Sequence, residues 1–217
     1  MKWYDDTFSR RNFLKMGALS AGALVLNPWT KLRQLQGEFP DAEKLGRIVN
    51  KVDIRSRPSV DATSVGTFYE DAVVIWLREV IGEAPGGRQS RRWVETPDGF
   101  VYAPNVQPVN NLPNVPVMEI PNTSLGRGMW TEVSVPMTQI FLERDTAGSP
   151  WLKDTIENGL IPRLYYSQVI WVDDVRTNSS GQVLYRCNER FGYGDVFWAA
   201  AEAFRPLTEE ELAPISP

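Results

Sequence analysis

The chain of 217 residues contains no histidine. That absence excludes Ser-His-Asp and Cys-His nucleophilic arrangements, histidine-ligated zinc, and imidazole as a proton shuttle. There is one cysteine, Cys187, so no disulfide can form within the chain. With only Asn188 and Glu189 as close polar neighbours, Cys187 lacks the base that an activated thiolate needs and reads as a small apolar core residue. No Gly-rich phosphate loop is present: Gly126-x-Gly128 is too short. No metal-ligand cluster stands out, and no cofactor is expected. The carboxylates are scattered. Asp173-Asp174 and Glu209-Glu210-Glu211 read as turn and helix-cap chemistry rather than as a pair of acids across a cleft.

Positive charge is also in short supply. The net charge is −4. Lys2, Arg10, Arg11 and Lys15 against Asp5 and Asp6 fall in the first 27 residues, so the rest of the chain is more acidic still. Such a surface offers no general attraction to nucleic acid, and nucleic-acid binding is set aside. No apolar run reaches the roughly 20 residues of a spanning helix; the longest, Met16–Leu26, is rich in Ala, Gly and Leu.

What is present begins with that run. Ser9-Arg10-Arg11-Asn12-Phe13-Leu14-Lys15 precedes it, and the order closely resembles the twin-arginine (Tat) export signature, with Arg10, Arg11, Phe13 and Leu14 as the targeting residues. The resemblance implies that a signal segment spans 1–29, that the Tat translocase is a partner, and that the protein is exported to the extracytoplasmic face of a bacterial membrane or to the wall. Neither an A-x-A site nor a lipobox cysteine follows Leu26. Atypical cleavage, or an uncleaved leader serving as a membrane anchor, is therefore expected.

The whole chain holds 8 tryptophans and 16 residues each of Gly and Pro, a mix suited to short strands and many turns. Residues 30–45 read as a linker. Across 46–108, strands are expected over 47–52, 66–69, 72–81, 91–96 and 100–103, with a last one through Val106-Gln107-Pro108 and a hairpin turn at Pro97-Asp98-Gly99. Residues 109–125, rich in Asn and Pro, read as an extended linker. Across 126–207, strands are expected over 130–135, 140–143, 164–175, 184–188 and 196–199, with a helical insertion over 151–159. Phe204-Arg205-Pro206 ends this unit as Val106-Gln107-Pro108 ends the first, which suggests a diverged internal repeat. Residues 208–217 form a tail, with capping-box spacing from Thr208 to Glu211.

Within the first unit, Asp53-Ile54-Arg55-x-x-Pro58, Val65-Gly66-Thr67, Trp93-Val94-Glu95 and Asp98-Gly99-Phe100-Val101 resemble the bacterial SH3-like domain. Phe100 stands where that family often has Trp, and Glu70-Asp71 replaces the usual Gly-containing turn. The resemblance implies a mainly β protein with two small SH3-like barrels in tandem after a signal helix. It also implies a binding module that recognises peptidoglycan or a similar envelope component. The order of parts is similar to the N-terminal, non-catalytic region of exported L,D-transpeptidases, whose catalytic motif is absent here. No enzyme activity is expected of this chain. A spacer in an envelope assembly, without a small ligand, is the third reading.

The aromatics are the best binding candidates. Trp93, Phe100 and Tyr102 in the first unit and Tyr165, Tyr166 and Trp198 in the second could line a shallow groove for sugar rings or an extended peptide. Alternation puts Phe100 and Tyr102 on one face of their strand. The basic loop with Arg88, Arg91 and Arg92 offers Arg91 and Arg92 to carboxylates of wall peptides.

Overall fold

A computed structural model describes residues 39–144, 146–190 and 192–212. The segment read as an export leader, with Arg10, Arg11, Phe13 and Leu14, lies outside the described residues. The protein is mainly β, as composition and turn spacing led one to expect.

The first unit has eight strands: β1 (Leu45–Ile48), β2 (Val52–Arg55), β3 (Ser64–Phe68), β4 (Val73–Ile75), β5 (Arg78–Ile81), β6 (Arg92–Thr96), β7 (Gly99–Tyr102) and β8 (Val106–Val109). They form a three-stranded sheet in the order β4-β1-β8 and a five-stranded sheet in the order β3-β2-β7-β6-β5. The apolar run 72–81, expected as one strand, is bent. The Trp76 N–H donates to the Lys44 carbonyl in the first sheet, and the Leu77 N–H to the Glu95 carbonyl in the second. One stretch of chain thus serves both sheets. Ile48, Val74 and Val106 meet Val94 and Val101 between them as the core. The tight β6–β7 hairpin turns on Gly99, whose φ is +134°. A Cβ there would lie 2.7 Å from the Arg55 carbonyl oxygen, so only glycine fits.

Residues 110–121 run extended without sheet pairing. Burial along this segment follows a three-residue period. Asn114, Val117 and Ile120 face the second unit, whereas Leu112, Val115 and Met118 face solvent. That is the period of polyproline II, in keeping with Pro113 and Pro116. The expected linker is therefore extended but docked. The Leu112 N–H donates to the Ser134 carbonyl, the Asn114 N–H to the Glu202 carbonyl, and Ile120 joins the second core.

The second unit contains β9 (Asn122–Thr123), β10 (Gly126–Arg127), β11 (Met129–Val133), β12 (Met137–Leu142), helix α1 (Pro150–Glu157), β13 (Arg163–Tyr165), β14 (Val169–Thr177), β15 (Val183–Asn188), β16 (Val196–Ala200) and β17 (Phe204–Pro206). Strands β9 and β10 form a small hairpin. The others make one seven-stranded sheet, β13-β12-β16-β15-β14-β11-β17, curled into a half-barrel. The run 164–175, also expected as one strand, breaks at 166–168, where Ser167 takes a left-handed backbone with φ 68°. Tyr185, Cys187, Phe197 and Phe204 fill the interior with Val133, Ile140 and Leu152. At the unit's entrance Gly128 (φ +150°) lets the backbone pass against the Trp171 ring, 2.2 Å from where a Cβ would sit.

Both units end in the same way. Tyr102 (φ −62°, ψ 118°) leads into a 3-10 turn, Ala103–Asn105, and Val106 leaves it extended. Ala200 (φ −65°, ψ 122°) leads into a 3-10 turn, Ala201–Ala203, and Phe204 leaves it extended. The next strand pairs antiparallel with the unit's first long strand, β8 with β1 and β17 with β11.

Candidate functional site

The structure assigns Trp93, Tyr102 and Trp198 to the interior, which corrects their reading as ligand platforms. Trp93 is 2% and Tyr102 5% exposed, edge to face with centroids 5.5 Å apart. The Trp93 Nε1–H donates to the Glu83 carbonyl at 3.0 Å and the Tyr102 hydroxyl to the Ser90 carbonyl at 2.9 Å. These two rings therefore fasten the 83–90 loop over their own face of the sheet. Trp198 is 5% exposed, with the Arg176 guanidinium 3.6 Å from its ring centroid. Phe100 is half-buried on the face it shares with Trp93 and Tyr102, opposite Glu95. Arg91 and Arg92 are exposed, and Arg92 pairs with Glu79 at 2.7 Å.

Tyr165 and Tyr166 stand at the junction of the two units. Arg47 stacks 4.1 Å from the centre of the Tyr165 ring. The Tyr165 hydroxyl donates to Asp71 Oδ2 at 3.3 Å, and burial, with the Asp71 charge second, raises its pKa. Tyr166 accepts from Asn110 Nδ2 at 2.8 Å. Asp71 is the hub: it pairs with Arg47 at 2.7 Å and with Arg163 at 2.5 Å. Its φ is 65°, a left-handed conformation that Asp tolerates better than most residues. The Glu70-Asp71 turn thus supplies a carboxylate that joins the two units.

A concave, partly apolar surface lies elsewhere in the second unit. A cleft of about 450 Å³ is lined by Trp130, Trp151 and Tyr193, with Gln168, Asn188, Glu189 and Arg190 as its polar groups. Trp151 is 40% and Tyr193 66% exposed, unusual for large aromatics and the mark of a contact surface. Helix α1 presents Trp151 at its first turn while burying Leu152 completely. The helix start is fixed by buried Asp195, which accepts from the Gly148 N–H at 2.6 Å, the Ser149 N–H at 2.7 Å and the Ser149 hydroxyl at 2.6 Å. Burial pulls the Asp195 pKa up, but these donors outweigh it and the net shift is downward.

The Trp151 Nε1–H donates to Glu189 Oε1 at 3.2 Å, so the indole orientation is set by a charged acceptor. Glu189 Oε2 is buried and has no hydrogen-bond partner among the described residues. A second cleft, about 580 Å³, also has Trp151 in its lining, with Leu160, Ile161 and Tyr165 and the charged Glu70, Asp71, Asp154 and Arg163. Trp151 walls both clefts.

Cys187 is fully buried, and burial raises its thiol pKa far above the usual range, so no thiolate is available near neutral pH. Among the described residues no group of three His, Cys, Asp or Glu side chains could hold a metal ion, and no helix is long and apolar enough to cross a membrane. The sequence drew attention to aromatics on strands. Trp151 stands on the inserted helix and so carried no such signal; Trp130 lies on an expected strand but was not among the candidates. Neither a protein-family model nor a curated protein matches the chain.

Proposed function

We propose that this chain is an exported binding module that holds peptidoglycan or a similar envelope component without chemical turnover. In this reading the two units are tandem, diverged SH3-like barrels, delivered through the Tat route by Arg10 and Arg11. The observation that carries it is the repeated closure. Each unit ends strand, 3-10 turn, strand, with nearly the same backbone angles and the same pairing to its first long strand. The first unit also bears the motif residues Ile54, Arg55, Trp93 and Gly99. A binding role is favoured by the exposed aromatic cleft.

Retention of the purified full chain on isolated sacculi tests the reading. Saturable co-sedimentation is the expected outcome. No retention at any salt concentration, or release of muropeptides from the sacculi, would sink it. Fusion of residues 1–40 to a reporter that is active only after Tat export tests the leader, with export expected to stop on Arg10→Lys/Arg11→Lys.

A further inference from the structure

We infer that the two clefts flanking Trp151 form one track for an uncharged linear saccharide, a reading that rests on the binding role above and names its ligand class. The first cleft, of about 450 Å³, has Trp130, Trp151 and Tyr193 in its lining, a size and aromatic character suited to sugar rings. Its charged groups are one carboxylate, Glu189, and one guanidinium, Arg190. This balance, with the surplus of carboxylates in the second cleft (Glu70, Asp71 and Asp154 against Arg163), disfavours an anion and suits a neutral polyhydroxyl ligand.

Glu189 ties the site together. One oxygen orients the Trp151 indole. The other lies under the turn that the Gly192 N–H closes onto the Glu189 carbonyl at 3.0 Å, and it lacks a donor among the described residues. A sugar hydroxyl is the kind of donor that would satisfy it. Trp151 is in the lining of both clefts, and the second, of about 580 Å³, reaches the unit junction at Tyr165, which would extend the track there. A single ring would leave most of this length empty, whereas a chain of rings would fill it.

The test titrates the full chain with β-1,4-linked N-acetylglucosamine oligomers of increasing length, followed by tryptophan fluorescence and calorimetry. Affinity is expected to rise at least about tenfold from the dimer to the hexamer as the second cleft fills. Trp151→Ala should weaken the hexamer at least about tenfold, and Tyr193→Ala should weaken dimer and hexamer alike. Both side chains are exposed, so the unfolding midpoint should stay within a few degrees of wild type; Tyr193→Ala keeps the test decisive should Trp151→Ala fail to fold.

The inference is overturned by the absence of saturable binding to any oligomer, by affinity independent of length, or by binding that both variants leave intact. Retention on sacculi without oligosaccharide binding removes the saccharide track and leaves the envelope reading standing. Oligosaccharide binding without retention on sacculi does the reverse.

Discussion

Asp71 holds its left-handed backbone because its carboxylate is engaged on both sides, by Arg47 and by Arg163, with 15% of the side chain exposed. Asp71→Asn keeps a residue that tolerates this backbone and removes only the charge. Two part-buried guanidiniums would then face each other without a counter-ion, at a cost of about 2–3 kcal/mol in denaturant unfolding. In a double-mutant cycle with Arg163→Met, the coupling should be plainly non-zero. Trp93 tests a different kind of residue. Its indole is buried and hydrogen-bonded, so Trp93→Ala should cost about 3–5 kcal/mol. An unchanged denaturation midpoint would put Trp93 on the surface after all. Alternation along β7 made it legible that Phe100 and Tyr102 share a face. Which face is covered was not legible, because the cover is the 83–90 loop. A loop has no periodicity to read, and its anchors are backbone carbonyls of Glu83 and Ser90, which any residue could supply.

At the scale of elements, the breaks in the strands were the least visible feature. Val73–Ile81 stays apolar through Trp76-Leu77, where hydrogen bonding passes from one sheet to the other, and Leu164–Val175 is interrupted only by Ser167-Gln168, between two strands of the same sheet. The second break even places Ser167, not glycine, at a positive φ. By contrast, helix α1 and the hairpin at Gly99 were legible from local composition. The capping-box spacing also forms its reciprocal bonds, Thr208 N–H to Glu211 at 2.9 Å and Glu211 N–H to the Thr208 hydroxyl at 3.3 Å, although only a turn comes after it within the described residues.

Helix α1 makes stability depend on pH through Asp195. Its folded pKa lies below the ordinary 3.8, so the unfolded chain binds the proton first as pH falls. The contribution is complete above about pH 5 and is lost progressively as pH drops through 3.8 and on through the lower folded value. Asp195→Asn should lower stability at pH 7 and flatten this acid limb, as read from urea midpoints at pH 7 and pH 3. Glu211, held down to about 2 chiefly by its hydrogen bonds to Arg205, acts with the same sign. The docked linker has its own anchor: the Val117 N–H donates to the buried Tyr185 hydroxyl at 2.5 Å, and that hydroxyl donates back to the Val117 carbonyl at 3.3 Å. Tyr185→Phe removes a partner of both groups and should cost about 1–3 kcal/mol. Amide exchange should quicken at Val117 before it quickens in β15.

For the whole molecule, the question is whether two separately cored units behave as one. Their apolar cores are distinct clusters, one between the two sheets of the first unit and one inside the curled sheet of the second. What joins them is polar and short: the Asp71 hub with Arg47, Arg163 and Tyr165, the Asn110–Tyr166 hydrogen bond, and a linker fastened to the second unit alone. A junction of this kind resists separation through a few charge-assisted contacts rather than through buried apolar area, so it should weaken as salt rises. Calorimetry of the wild type at low ionic strength is expected to give one transition. In Asp71→Ala that transition should split in two, because each core can melt alone once the hub is gone. The far cleft beside Trp151 draws its lining from both sides of this junction, Asp71 from the first unit and Arg163 and Tyr165 from the second. The same substitution should therefore loosen that cleft while leaving the near one, built wholly from the second unit, intact. Unchanged single-transition melting in Asp71→Ala would mean that the linker, not the hub, couples the units.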